Sequence, residues 1–344
     1  MDAPSLPSFE GYSSKTFTYK SVDGLDLKLD ALVPLDAPDQ VPVVVHIHGG
    51  FLVIGDRYSI QPYWLIKACV RRRWIFVSPD YRLIPEATGH DALEDAVHAY
   101  EWAAARLAAQ LGIRTGGVIL AGSSAGGFLA LAAASRATTR PLALISIYGM
   151  LDLAHERYTR KGTNIMGLPH VNGGPILDQF LAGDRAGAAV LSGYPWPLDL
   201  AKDSRFGLVA ALHVEALLID VVTGVPGLGE AIAAQGPKEA IPAEARPLFP
   251  ATFGPLGSLP PTLLLHGRND TGTPFETSLS VMAKLEDAGV RVTAEFPGDA
   301  PHGFDVLLGP VDLESQPSTV LDSEAVLGLK KVIGFLDLIT GTKE

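Results

Sequence analysis

In the stretch GVILAGSSAGGFLAL, residues 117–131, two adjacent serines lie between glycines. A nucleophilic serine on a sharp strand-to-helix turn needs the spacing G-x-S-x-G, because the bend leaves no room for larger neighbours. Gly122-Ser123-Ser124-Ala125-Gly126 meets it with Ser124 at the centre, whereas centring on Ser123 would put Ala121 where glycine is required. Ser124 is the candidate nucleophile. A serine hydroxyl reacts poorly near neutral pH unless a base takes its proton and an acid orients that base. His302 in FPGDAPHGF and Asp270 in LLLHGRNDTGTP each follow a strand-like run. In a parallel sheet such positions share one edge, where sites are built. The chain order Ser124, Asp270, His302 is the one expected of a nucleophile elbow. Taken singly, Ser124 could be a turn residue, Asp270 a helix cap and His302 a surface residue. Asp299 and Asp305 flank His302 as rival acids but lack a strand-end position of their own.

Attack on a carbonyl also needs donors for the oxyanion. Ala125 opens the helix after Ser124, and its N–H points toward the site. Gly49 and Gly50, in HIHGGF after the first buried run, supply a second wall, since glycine lets the backbone turn N–H groups inward. His48 is expected to brace this loop by hydrogen bonding. His46 and His266 are expected within or at the end of strands.

These residues need a scaffold. SKTFTYK and LDLKLDALVP alternate around Val22-Asp23-Gly24 and predict an edge hairpin. VPVVVHIHGG, WIFVSPDYR, GVILAGSS, LALISIYG and PTLLLHG predict strands of the kind buried on both faces, and VRVTAEFP a sixth that alternates more. Helical patterns lie between them. In DALEDAVHAYEWAAARLAAQLG the predicted inner face is Leu93, Val97, Tyr100, Ala104 and Leu107, with Gly112 as the stop. This alternation predicts a doubly wound, mostly parallel α/β sheet flanked by helices. It breaks over 152–255, a Gly/Pro-rich and then helical stretch expected to be a cap packed over one end of the sheet. The core is expected over 15–151 and 256–344, with residues 1–14 a loose arm.

Composition narrows the partners. With 27 basic against 38 acidic residues the net charge is −11, which opposes a nucleic-acid role. Arg71-Arg72-Arg73 is too short for a phosphate track. Cys69 is the only cysteine, so no internal disulfide can form and a reducing, cytoplasmic setting is expected. The first residues have neither a basic start nor an apolar run, so no secretory leader is expected. The most apolar long stretch, 206–219, is too short and too interrupted to span a bilayer. No metal-ligand spacing or dinucleotide loop occurs, so no cofactor is expected. A homodimer through edge strands or the C-terminal helix is compatible with the pattern.

HIHGGFLVIGD, SPDYRLIPEATGHDALEDAVHAYEW, GSSAGG, HGRNDTGTP and APHGF together resemble the hormone-sensitive-lipase-like and arylacetamide-deacetylase-type carboxylesterases of the α/β-hydrolase superfamily. The resemblance covers most of 40–150 and 260–340. It implies that fold and a Ser124–Asp270–His302 triad acting on carboxylic esters. Two departures bear on substrate. The usual H-G-G-G reads His48-Gly49-Gly50-Phe51, and the insertion is unusually long while the N-terminal arm is short. Phe51, Leu52, Ser123, Tyr148 and Met150, with 206–222, are the candidate pocket residues for a hydrophobic small-molecule ester or lactone. The same site could instead serve a biosynthetic acyl transfer, cyclisation, lyase or isomerase step, or bind a small molecule without turnover as a receptor.

Overall fold

The computed structural model describes residues 5–167, 171–181, 189–315 and 323–342. Strands β1 (Tyr12–Val22) and β2 (Leu25–Pro34) form the predicted hairpin. Its two turn residues, Asp23 and Gly24, both have positive φ, 48° and 84°. That is the type I′ geometry whose twist matches the strands. The arm is less loose than expected: Leu6 is buried, and the Tyr12 hydroxyl donates to the carbonyl of Trp74 at 3.2 Å.

Six further strands follow: β3 (Val41–Ile47), β4 (Ile75–Pro79), β5 (Thr115–Ser123), β6 (Leu144–Ile147), β7 (Thr262–Leu265) and β8 (Val292–Glu295). The sheet order is β1-β2-β4-β3-β5-β6-β7-β8. From β4 onward all neighbours are parallel, while β1 and β2 are antiparallel additions at one edge. Successive residues explain the continuous apolar runs. Val43, Val45 and Ile47 enter one core and Val44 the other, so β3 is covered on both sides. The order reverses direction around β3, so the loops leaving β3 and β5 diverge and open a crevice at the strands' carboxyl ends.

The helices are α1 (Tyr63–Arg72), α2 (Gly89–Ala105), α3 (Leu107–Leu111), α4 (Ala125–Ala134), α5 (Glu156–Thr159), α6 (Gly173–Leu181), α7 (Ser204–Val214), α8 (Leu218–Thr223), α9 (Leu228–Gln235), α10 (Pro237–Ala240), α11 (Pro250–Phe253), α12 (Phe275–Asp287), α13 (Phe304–Leu307) and α14 (Glu324–Thr340). A reciprocal Thr88–Asp91 capping box starts α2. The single helix expected through residue 111 breaks at Arg106 into α2 and α3, and Gly112 ends α3 at φ 69°. The inner face also differs. Ala92, Ala96, Ala99 and Ala103 are buried beside Leu93 and Tyr100, while Val97 and Ala104 are half-buried. Small side chains let α2 lie close to its neighbours, so the alanines rather than the larger residues mark the contact stripe.

Residues 152–255 run from β6 to β7 and, where described, are helices and loops, joined to the rest by an antiparallel bridge between Tyr194 and Gly55. Arg205 on α7 ties this segment down. It donates to the carbonyls of Val53 (3.0 Å) and Ile84 (2.8 Å) and pairs with Glu86 at 2.7 Å. The segment also reaches beyond the strand ends. α8 packs on α2 so tightly that a Cβ at Gly89 would come within 2.5 Å of Val222.

Candidate active site

β5 ends at Ser123, and Ser124 takes φ 55° and ψ −121° before α4 begins. Such a conformation is strained for a residue with a Cβ and persists only where its surroundings enforce it. Here the enforcement is steric. A Cβ on Gly122 would lie 2.1 Å from the Gly126 carbonyl oxygen, and one on Gly126 would lie 2.0 Å from that of Ile47. Only glycine fits at either place, so the serine is pushed out at the bend. Its Oγ lies 3.1 Å from His302 Nε2, and His302 Nδ1 lies 2.8 Å from Asp270 Oδ2. The three expected residues are therefore in one hydrogen-bonded line.

Asp270 also caps the turn before α12: its Oδ1 accepts from the N–H groups of Gly272 (2.7 Å) and Thr273 (2.9 Å). Burial would raise its carboxyl, but hydrogen bonds from His266 and His302 outweigh that and hold it well below the usual carboxylate range. The rival acids are engaged elsewhere. Asp299 accepts from the Ala325 N–H. Asp305 is buried and accepts from Trp64 Nε1 at 2.9 Å and from the Tyr148 hydroxyl.

The HIHGG loop lies against the elbow: a Cβ on Gly49 would touch Ser124 Cβ at 3.0 Å. Gly50 has φ 109°, and a Cβ there would lie 1.9 Å from the Ile54 carbonyl oxygen. His48 stacks on Tyr81, with ring centres 4.3 Å apart, and its Nδ1 is 2.7 Å from the Gly49 carbonyl, the bracing arrangement expected of it. His46 lies inside β3 with Nε2 2.9 Å from Ser123 Oγ. Burial lowers both imidazoles, to about 4 for His48 and about 3 for His46, so both are neutral at pH 7.

Above Ser124 is a cavity of about 240 Å³ lined by Gly50, Phe51, Ile60, Tyr148, Met166, Trp196, Leu200, His302, Gly303, Val306 and Leu307. Phe51 and Tyr148 line it as expected. Leu52 and Met150 do not: both are fully buried in the core beneath. Ser123 does not either, since its hydroxyl is turned to His46. The apolar run 206–222 is also absent from the lining. Trp196 and Leu200, from the loop before α7, take that place, and α7 packs behind them. Neither residue belonged to a periodic pattern, so the sequence carried no signal for them.

A family model described as the alpha/beta hydrolase fold matches residues 44–171. The chain is 26% identical to a probable carboxylesterase M8 of Phoma sp., covering 90% of this chain and 94% of that protein. It is 27% identical over 94% of its length to the non-reducing polyketide synthase trt4 of Aspergillus terreus, but spans only 14% of that much longer protein. Among solved structures, a bacterial heroin esterase superposes with a TM-score of 0.64 at 19% identity, covering 98% of this chain and 87% of the other. Residues 44–171 match that family model, and the superposition shows the α/β-hydrolase fold across the chain. The loop after β3 departs from glycine at a position whose backbone favours it: Phe51 has φ 55° and Leu52 φ 65°. The Phe51 ring stands between two imidazoles, 6.3 Å from His302 and 5.1 Å from His213. Among the described residues, no helix is long and apolar enough to cross a membrane, and no cluster of side chains suits a metal ion.

Proposed function

We propose that this α/β-hydrolase cleaves carboxylic esters of hydrophobic small molecules through an acyl-enzyme on Ser124. The observation that carries the reading is the line Ser124–His302–Asp270 opening directly into an apolar cavity. His302 Nε2 takes the Ser124 proton as Oγ attacks the ester carbonyl. The N–H groups of Gly49, Gly50 and Ala125 receive the oxyanion. Collapse of the tetrahedral intermediate expels the alcohol, which takes the proton from His302. Water then attacks the acyl-enzyme by the reverse sequence and releases the acid. Asp270 keeps the proton of neutral His302 on Nδ1, so that Nε2 is free to act as base. Residues 152–255 serve as the cap, with Trp196 and Leu200 closing the pocket. A substrate ester must be compact or flexible to enter about 240 Å³.

The reading is tested with p-nitrophenyl esters from acetate to laurate, wild type beside Ser124→Ala. The expected outcome is turnover with a short-to-medium optimum and a loss of about 10⁴-fold or more in the variant. Equal turnover by both proteins would discard it. A second reading is favoured by the matches to segments of polyketide synthases. In it the acyl group on Ser124 passes to an acceptor other than water, or cyclises, in a biosynthetic step. A Ser124 that labels with a fluorophosphonate in a protein unable to release acid from any simple ester would favour that reading.

A further inference from the structure

Asp270 is approached by two imidazoles, and the acyl-transfer mechanism uses only one. His266, at the end of β7, is fully buried, and its Nε2 lies 3.2 Å from Asp270 Oδ2, the same oxygen that holds His302 at 2.8 Å. Its other nitrogen, Nδ1, lies 2.7 Å from Ser278 Oγ on α12. The neighbouring groups decide the tautomer. Thr273 Oγ1 donates its one proton to the Tyr148 carbonyl at 3.0 Å, so toward His266 Nε2, 3.3 Å away, it presents a lone pair. Asp270 is an acceptor only. Nε2 therefore faces two acceptors and carries the proton, and Nδ1 accepts from the Ser278 hydroxyl. The cradle is closed on its other side by Gly272, where a Cβ would lie 2.5 Å from His302 Cγ.

We propose that His266 is a positioning residue of the catalytic line: through its Nε2–H it fixes the Asp270 oxygen that orients His302, and Ser278 fixes its tautomer. The chain of donors is then Ser278 to His266 to Asp270, meeting Ser124 to His302 from the other end. Oδ1 is pinned by Gly272 and Thr273. Without His266, Oδ2 keeps His302 as its donor at 2.8 Å, and Thr273 Oγ1, 3.3 Å away, has already given its proton to Tyr148. The carboxylate is then free to twist about its Oδ1 anchor, and His302 loses alignment with Ser124. This inference rests on the proposed acyl-enzyme mechanism.

The test compares wild type, His266→Leu, His266→Gln and Ser278→Ala with p-nitrophenyl acetate. In parallel, the downfield proton of the His302–Asp270 hydrogen bond is followed by NMR. His266→Leu is expected to lose about ten- to a hundredfold in kcat with KM little changed, the range a hydrogen bond to a charged group is worth. Its downfield resonance shifts or broadens. His266→Gln keeps an N–H donor and recovers most of both, and Ser278→Ala lies between. Unchanged kcat and an unchanged resonance in folded His266→Leu would overturn the proposal, as would failure of His266→Gln to recover either. If His266→Leu does not fold, Ser278→Ala decides, with the same two readouts. A wild type that neither turns over esters nor labels at Ser124 would instead remove the proposed function. The resonance comparison would still judge whether His266 holds Asp270.

Discussion

Side chains at the Ser124 turn and in the HIHGGF loop are decided by ångström-scale exclusion. At Gly50 a methyl group would overlap the Ile54 carbonyl oxygen, at a φ that L-residues avoid. Gly50→Ala should therefore displace the proposed oxyanion donor. The expected cost is about 10²-fold in kcat, read from steady-state kinetics, with fluorophosphonate labelling at Ser124 retained. Phe51 is the opposite case, a large ring kept where glycine would be easier. Its burial between His302 and His213 offsets the backbone cost. Phe51→Ala should lose about 3 kcal/mol in denaturant unfolding. The lost ring also enlarges the cavity, so the optimum acyl length in the p-nitrophenyl series should rise. An unchanged optimum would show that Phe51 does not bound the substrate.

At the level of elements, one buried arginine joins the insertion to the loops that follow β3 and β4. Arg205 on α7 holds two core carbonyls and Glu86 while almost fully enclosed. Breaking a buried pair from one side leaves a carboxylate and two carbonyl oxygens short of donors. Arg205→Ala should cost about 3 kcal/mol in denaturant unfolding. Because Trp196 and Leu200 lie just before α7, it should also raise KM more than it lowers kcat. A drop in kcat alone, at unchanged KM, would place the effect on the catalytic line instead.

For the molecule as a whole, three fully buried histidines make stability depend on acid. Burial lowers His46 to about 3, and His48 and His213 to about 4, from an unfolded value of 6.5. Below pH 6.5 the unfolded chain binds protons that the folded one refuses, so stability falls as the pH falls. The contribution is fully present above pH 6.5 and is lost progressively toward pH 4, by at most about 3 kcal/mol each for His48 and His213. Thermal unfolding at pH 7, 5.5 and 4 should show this decline, and His213→Phe should flatten it. An identical slope in that variant would assign the acid sensitivity to other groups.

Features that depend on local order are legible in the chain. Six apolar runs with helices between them define a parallel sheet. The glycine spacing picks Ser124 over Ser123, and the strand-end positions of Asp270 and His302 anticipate their meeting. Each follows from short-range geometry: strand period, turn sterics and the shared edge of parallel strands. What depends on distant segments is settled by folding. Asp305, adjacent in sequence to the histidine loop, is drawn away by Trp64 and Tyr148. Leu52 and Met150, next to site residues, turn into the core, while Trp196 and Leu200 come from a loop with no periodic pattern to cover the serine. His266 reads as a plain strand-end residue until folding sets it against Asp270. Pocket walls and the partners of a buried carboxylate are set by which side chains pack from elsewhere in the chain, and that is not written in local spacing.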